Sequence, residues 1–282
     1  MQHPNEYTAI YKEIARKIAH EEPLTDEERI YFETLNYQLH QMQIVLREFV
    51  EQVISQKPQI TNEVYNDIDS DLVNFLLVAR AEPKRLAKAC SSIPYSRALY
   101  EKWKREDFPE DEFERAVRFF YINRSGIAKG NCDYNTGWRH SREHNTARTY
   151  QSACNAIDAF ADRMKNVMVD CRDFREIIRV YDSPTTLFYV DPPYIDREKN
   201  YKLTPTDRVN PMQLHYDLAE QLNSIKGMAI VSYYDHPLLD ELYSSWHKEY
   251  FKAVRQVVNG SNNTSEEMLL MNFHNNQLSL FD

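Results

Sequence analysis

The chain has 282 residues, 42% of them hydrophobic and 27% charged. That excludes disorder, a collagen-like repeat and a disulfide scaffold, and fits one large domain or a core with an insertion. The net charge of -9 argues against a protein that coats nucleic acid without specificity.

Average usage would place roughly 20 glycines in such a chain. There are five, and the first is Gly126, so no glycine-rich phosphate or nucleotide loop lies in the N-terminal 125 residues. No apolar run approaches the ~18–20 residues of a membrane span. The N-terminus carries no apolar signal core. Cys90, Cys132, Cys154 and Cys171 lack metal-ligand spacing, so reduced thiols in a cytoplasm are expected.

Residues 1–62 read as a helical hairpin. Tyr7, Ile10, Tyr11, Ile14 and Ile18 form one apolar stripe, and Pro23 breaks it. Thr25 and Glu28 make a capping-box pattern for a second helix. Its apolar positions Leu35, Leu39, Met42, Leu46, Phe49 and Val53 have the spacing of a coiled-coil seam.

At residue 63 the texture changes. Glu63–Asp67 reads as a short strand ending in acid, and Asp69–Arg80 as a helix. Residues 81–150 are polar and largely helical. The stretch 80–150 has 15 basic against 10 acidic residues, the one clearly basic part of the chain. Further on, Val167–Val169, Thr186–Val190, Met228–Ser232 and Met268–Asn272 read as buried strands. Helical stretches such as Tyr150–Met164 and Met212–Ile225 separate them. This alternation predicts an α/β sheet protein.

The most informative string is Leu187-Phe188-Tyr189-Val190-Asp191-Pro192-Pro193-Tyr194. An apolar strand stops where proline cannot extend the ladder. The turn presents a carboxylate, free carbonyls and a ring at the carboxyl edge of a sheet, where α/β proteins bind ligands. That suits methylation of an exocyclic amine. Asp191 and the Pro192 carbonyl can accept hydrogen bonds from the amino group and stabilise the charge that grows on it. Tyr194 can stack on a base flipped from the duplex. An isolated Asp-Pro-Pro-Tyr is equally compatible with a plain proline turn, so its surroundings decide.

Those surroundings resemble the Dam-type DNA adenine-N6 methyltransferases, particularly forms common in phages and prophages. The similarity runs through Val64–Phe75, Cys171-Arg172-Asp173-Phe174, Asp182–Tyr194, Lys226–Ser232 and Glu267–Phe273, in family order. It implies S-adenosylmethionine as methyl donor, with Asp67 on its ribose hydroxyls and Asp173 on its adenine. It also implies catalysis by Asp191, Pro192, Pro193 and Tyr194, and double-stranded DNA as substrate. Alone, Asp67 or Asp173 would read as a solvated strand end or a helix cap. The implied fold is a Rossmann-like core over residues 63–80 and 151–273, with a DNA-recognition insertion at 81–150.

The family's N-terminal strand and Pro-Phe-x-Gly-x-Gly loop have no counterpart here; the acidic hairpin stands in their place. The sheet is therefore expected to lack its central strand, which leaves unpaired backbone groups. Three explanations stay open: a second polypeptide completes the cofactor site; the chain binds DNA or a partner without methylating; or the gene is a remnant.

In the insertion, Arg124, Lys129, Arg139, Arg142 and Arg148 lie among Tyr134, Trp138 and Tyr150, a pattern suited to phosphate contact and base stacking. His140 and His144 have helical metal spacing but no third ligand nearby, so no metal is expected. The tail, residues 274–282, ends Gln277-Leu278-Ser279-Leu280-Phe281-Asp282. It resembles the peptides by which bacterial replication proteins bind the sliding clamp, with Gln277, Leu278, Leu280 and Phe281 as contacts. The expected function is site-specific adenine methylation. The alternative is a non-catalytic DNA-binding or clamp-docking protein derived from a methyltransferase.

Overall fold

The computed structural model describes residues 62–127, 137–142, 144–198, 201–254 and 264–273. The chain divides after Pro58, and all of these belong to its second unit, Gln59–Asp282. The hairpin of residues 1–62, Lys129, Tyr134 and the tail with Gln277, Leu278, Leu280 and Phe281 lie outside the described residues, apart from Asn62.

Strand β1 (Glu63–Asn66) opens the unit and pairs in parallel with β2 (Val167–Asp170). Glu63 is buried, and both its oxygens bind Arg163 at 2.7 and 2.9 Å. Burial of that carboxylate is tolerable because a fork-shaped partner satisfies it.

Five described helices come between the two strands. They are α1 (Ser70–Ala81), α2 (Pro83–Ser92), α3 (Arg97–Arg105), α4 (Glu112–Ser125) and α5 (Thr146–Met164). Their starts follow the sequence: Asp69, Ser96, Asp111 and Asn145 cap α1, α3, α4 and α5, and Pro83 begins α2. Helix α4 is the hub. It is buried from Ala116 to Ile122, including Arg118, because α1, α2, α3 and α5 surround it. Phe75 of α1 lies 5.7 Å from Phe120 and 5.8 Å from Phe119, and Tyr121 packs edge-on against Tyr150. These helices therefore share an aromatic core.

The second sheet carries the Asp-Pro-Pro-Tyr strand. Its order is β3 (Leu187–Val190), β4 (Met228–Tyr234), β6 (Thr264–Met271), β5 (His247–Val254). β3 and β4 run parallel; β6 is antiparallel to both β4 and β5. Helix α6 (Phe174–Tyr181) precedes β3. Helices α7 (Pro205–Val209) and α8 (Pro211–Asn223) lie between β3 and β4, and α9 (Leu238–Leu242) follows β4. Leu218 and Leu222 of α8, Ala229, Val231 and Tyr233 of β4, Trp246, Met268 and Leu270 share one core.

The α/β expectation holds, and each predicted strand is present. β5 was not anticipated; its pattern His-Lys-Glu-Tyr is too polar to read as a strand without its partner β6. The described strands do not form one sheet. β1–β2 and β3–β4–β6–β5 are separate, and among the described strands β3 pairs only with β4. None of its four apolar residues is buried, whereas alternate residues of β4 are.

Candidate functional site

Three strand ends converge. Asp67 follows β1, and Asp191 follows β3. Burial pushes the Tyr65 phenol well above its usual value, followed by the charges of Asp67, Asp69 and, most weakly, Asp191. One buried phenol thus feels carboxylates from both sheets. Its hydroxyl donates to Asp67 Oδ2 at 3.0 Å, and the Asp69 amide donates to Asp67 Oδ1 at 2.8 Å.

The end of β2 belongs to the same rim. Asn66 and Arg172 exchange hydrogen bonds, side-chain amide to carbonyl and amide to side-chain carbonyl, both at 2.9 Å. Partial burial, then Asp67 and Asp69, raise the Cys171 thiol; Lys202 opposes them. The Lys202 ammonium donates to Asp69 Oδ1 and Asp71 Oδ2, each at 2.6 Å. Lys202 comes from the segment that follows the Asp-Pro-Pro-Tyr turn, so this pair joins the second sheet to α1.

Asp173 lies further round. It caps α6, accepting from the Arg175 amide at 2.8 Å, and pairs with the Arg175 guanidinium at 2.9 Å. Arg175 also reaches Asp207 and Asp217, at 2.8 Å each. Partial burial works against the Arg175 charge. Hydrogen bonds to Asp207 and Asp217, with the charge of Asp173, outweigh it and hold the group above its usual value.

Asp191 is exposed, Pro192 buried, and Pro193 and Tyr194 half-buried. The Tyr194 ring stands edge-on to Tyr234 at 4.3 Å, and its hydroxyl lies 3.4 Å from Ser232 Oγ. Both neighbours come from the end of β4, so two strands build this aromatic corner.

The proposed DNA contacts separate. Arg142 and Arg148 are exposed. Arg139 is half-buried and donates to the carbonyls of Gly126 and Ile127 at 2.9 and 3.3 Å. Arg124 is buried, 5.7 Å from the Phe120 ring centre. Tyr150 is in the helical core, its hydroxyl on the Cys90 carbonyl, while Trp138 packs on Tyr95 and Arg97. Among the described residues no cluster of three metal-ligating side chains occurs. No described helix is long and apolar enough to cross a membrane.

Sequence reasoning missed Lys202, Arg175 and Tyr234. Nothing local marks Lys202 or Arg175, whose partners lie up to 133 residues away. Tyr234 was readable as the aromatic end of a strand parallel to β3.

The sequence model of the D12 class N6 adenine-specific DNA methyltransferases matches residues 45–259, most of the chain and both rims. The chain belongs to that family. A DNA adenine methylase of Haemophilus influenzae is 23% identical over 202 residues, covering 68% of this chain and 70% of the relative. DNA adenine methylases of Salmonella typhi and Salmonella typhimurium strain LT2 are each 24% identical over 211 residues. Those matches cover 72% of this chain and 75% of each relative. The matched range includes Asp191–Tyr194.

Proposed function

We propose that this D12-class methyltransferase methylates adenine N6 in duplex DNA at the rim where β1, β2 and β3 end. The observation that carries the reading is the Lys202 ion pair with Asp69 and Asp71, which ties the segment after the Asp191–Tyr194 turn to the loop that holds Asp67. It links a proposed diol-binding acid to the segment that follows a proposed amine-binding acid. Asp191 and the Pro192 carbonyl accept hydrogen bonds from the adenine amino group. This localises its lone pair and stabilises the positive charge that develops. Pro193 fixes the turn. Tyr194, backed by Tyr234, offers a ring for the flipped base, worth about 1–3 kcal/mol.

S-adenosylmethionine supplies the methyl group. Asp67 suits its ribose hydroxyls, and Asp173 retains about one acceptor direction for an exocyclic amine. The methionine end is less well served, since no glycine precedes Gly126. A second polypeptide that lays a parallel strand beside β3 and brings a glycine loop would complete the site. Arg142 and Arg148 are proposed as phosphate contacts, with Lys129. Arg124 and Arg139 are proposed to hold that surface from beneath. The tail from Gln277 to Phe281 is proposed as a clamp-binding peptide.

The test is transfer of labelled methyl groups to duplex DNA, with product nucleosides identified by mass spectrometry. Turnover that yields N6-methyladenine and disappears in Asp191→Ala supports the enzyme. Turnover only after a glycine-loop protein is added supports the two-chain form. DNA binding without cofactor binding supports the non-catalytic alternative. Deleting Gln277–Asp282 should abolish clamp association and leave DNA affinity nearly unchanged; equal clamp binding by the deleted form removes that proposal.

A further inference from the structure

Behind the Asp-Pro-Pro-Tyr turn lies a buried polar chain that the proposed chemistry does not use. The turn closes with a hydrogen bond from the Arg197 amide to the Tyr194 carbonyl at 2.9 Å. Asp196, inside it, has φ 66° and is the one non-glycine residue with positive φ among those described. That conformation is disfavoured for an L-residue, and here it is supported from outside the turn.

The support is visible. The Asp196 amide donates to Glu198 Oε1 at 3.0 Å. The same oxygen lies 2.9 Å from His215 Nε2, and His215 Nδ1 lies 2.8 Å from the Tyr233 hydroxyl. His215 is on α8 and Tyr233 on β4. Both are fully buried and Glu198 nearly so. The Tyr233 ring in turn lies 6.3 Å from that of Tyr194.

The protonation pattern is self-consistent. Burial depresses the His215 imidazole below its usual value despite Glu198, and burial raises the Tyr233 phenol. A neutral imidazole donates from Nε2 to the carboxylate and accepts at Nδ1 from the phenol. Every link then has one donor and one acceptor.

Resting on the methyltransferase reading, we infer that Glu198, His215 and Tyr233 are positioning residues. They hold the strained Asp196 turn and so fix Tyr194 and Asp191 for methyl transfer. A buried hydrogen-bonded triad of this size could serve stability alone, but its first link is the amide of the one strained residue, two positions from Tyr194. Misplacing reacting groups by about 1 Å can cost ~100-fold in rate, so the turn's geometry matters to the chemistry.

The experiment uses the full chain. In Glu198→Ala, amide exchange across residues 191–198 should accelerate about tenfold while α4 and α5 keep their protection. Its kcat should fall about tenfold or more, with the KM for S-adenosylmethionine within about twofold. Adding Asp196→Gly should recover about threefold of the lost kcat, because glycine adopts positive φ unaided. A merely structural Glu198 would lower the melting temperature and show no such recovery in kcat per folded molecule. If Glu198→Ala does not fold, Tyr233→Phe carries the test; it removes one hydroxyl and should accelerate exchange about twofold or more. Unchanged exchange at 191–198 in the folded variants overturns the inference, as does Glu198→Ala with full kcat. A parent chain without turnover on any DNA defeats the methyltransferase reading instead, and exchange then decides the network by itself.

Discussion

The rim at β3–β4 and the rim at β1–β2 hold their acids by different physics. Beside β3, Tyr194 leans on Tyr234, Ile195 is in the core, and a buried hydrogen-bonded triad supports the turn. Beside β1, mostly part-exposed charges do the holding: Lys202 with Asp69 and Asp71, and Arg175 with Asp173, Asp217 and the buried Asp207. Apolar packing and buried hydrogen bonds tolerate little displacement. Surface ion pairs are individually weak and respond to salt. The proposed amine-binding end is therefore rigid, and the proposed cofactor end adjustable.

The hardest test of the rigid end is Asp191→Ala. A single preorganised group that stabilises developing charge is worth about 100- to 1,000-fold in turnover, and the loss here should reach at least that. The melting temperature should change little, because Asp191 is exposed. Retained methyl transfer would mean that the proline turn is structural.

Next in size is Gly227→Ala, at the start of β4. A Cβ there would lie 2.6 Å from the Thr186 carbonyl and 2.8 Å from that of Ser183, both backbone atoms that cannot move away cheaply. The cost should be about 1–3 kcal/mol by denaturant unfolding. Because β3 follows directly from Thr186, kcat should fall with stability. A variant as stable as the parent would show that the β3–β4 junction is looser than this comparison holds.

The same contrast explains what was legible in the sequence. Asp191–Tyr194 was readable because strand, stop and turn lie within eight consecutive residues. The start of α1 was readable for the same reason: the helix read from Asp69 is capped by Asp69 within three residues. β5 and the Glu198–His215–Tyr233 chain were not, since each exists only through partners distant in sequence. Basic residues near aromatics marked Arg124 and Arg142 alike. Only packing separates the arginine inside the helical core from the one at the surface.

At the adjustable end, Lys202→Met removes two 2.6 Å ion pairs but keeps the side chain's volume. Its stability cost should stay below about 1 kcal/mol and shrink as salt is raised. The KM for S-adenosylmethionine should rise a few-fold, with kcat nearly unchanged, because Asp69 lies beside Asp67 and loses its counter-charge. A kcat loss as large as that in Glu198→Ala would erase the distinction between the two rims.

The smallest effect concerns Asp217, a partner of Arg175. Partial burial raises its pKa, but hydrogen bonds from Gln213 and Arg175 win, and the folded value lies below the ordinary one. A depressed carboxylate contributes stability that is present above the unfolded pKa of about 3.9 and is lost as pH falls through the folded value. Asp217→Asn should therefore destabilise by at most about 1 kcal/mol near neutrality, since the group is 31% exposed on its side chain. The difference should vanish in acid, where the parent's carboxyl is also neutral. Urea unfolding of both chains across that range decides it. A gap between parent and variant that persists below the folded pKa would assign Asp217 a packing role, and the β1–β2 rim would then depend less on charge than the Arg175 cluster implies.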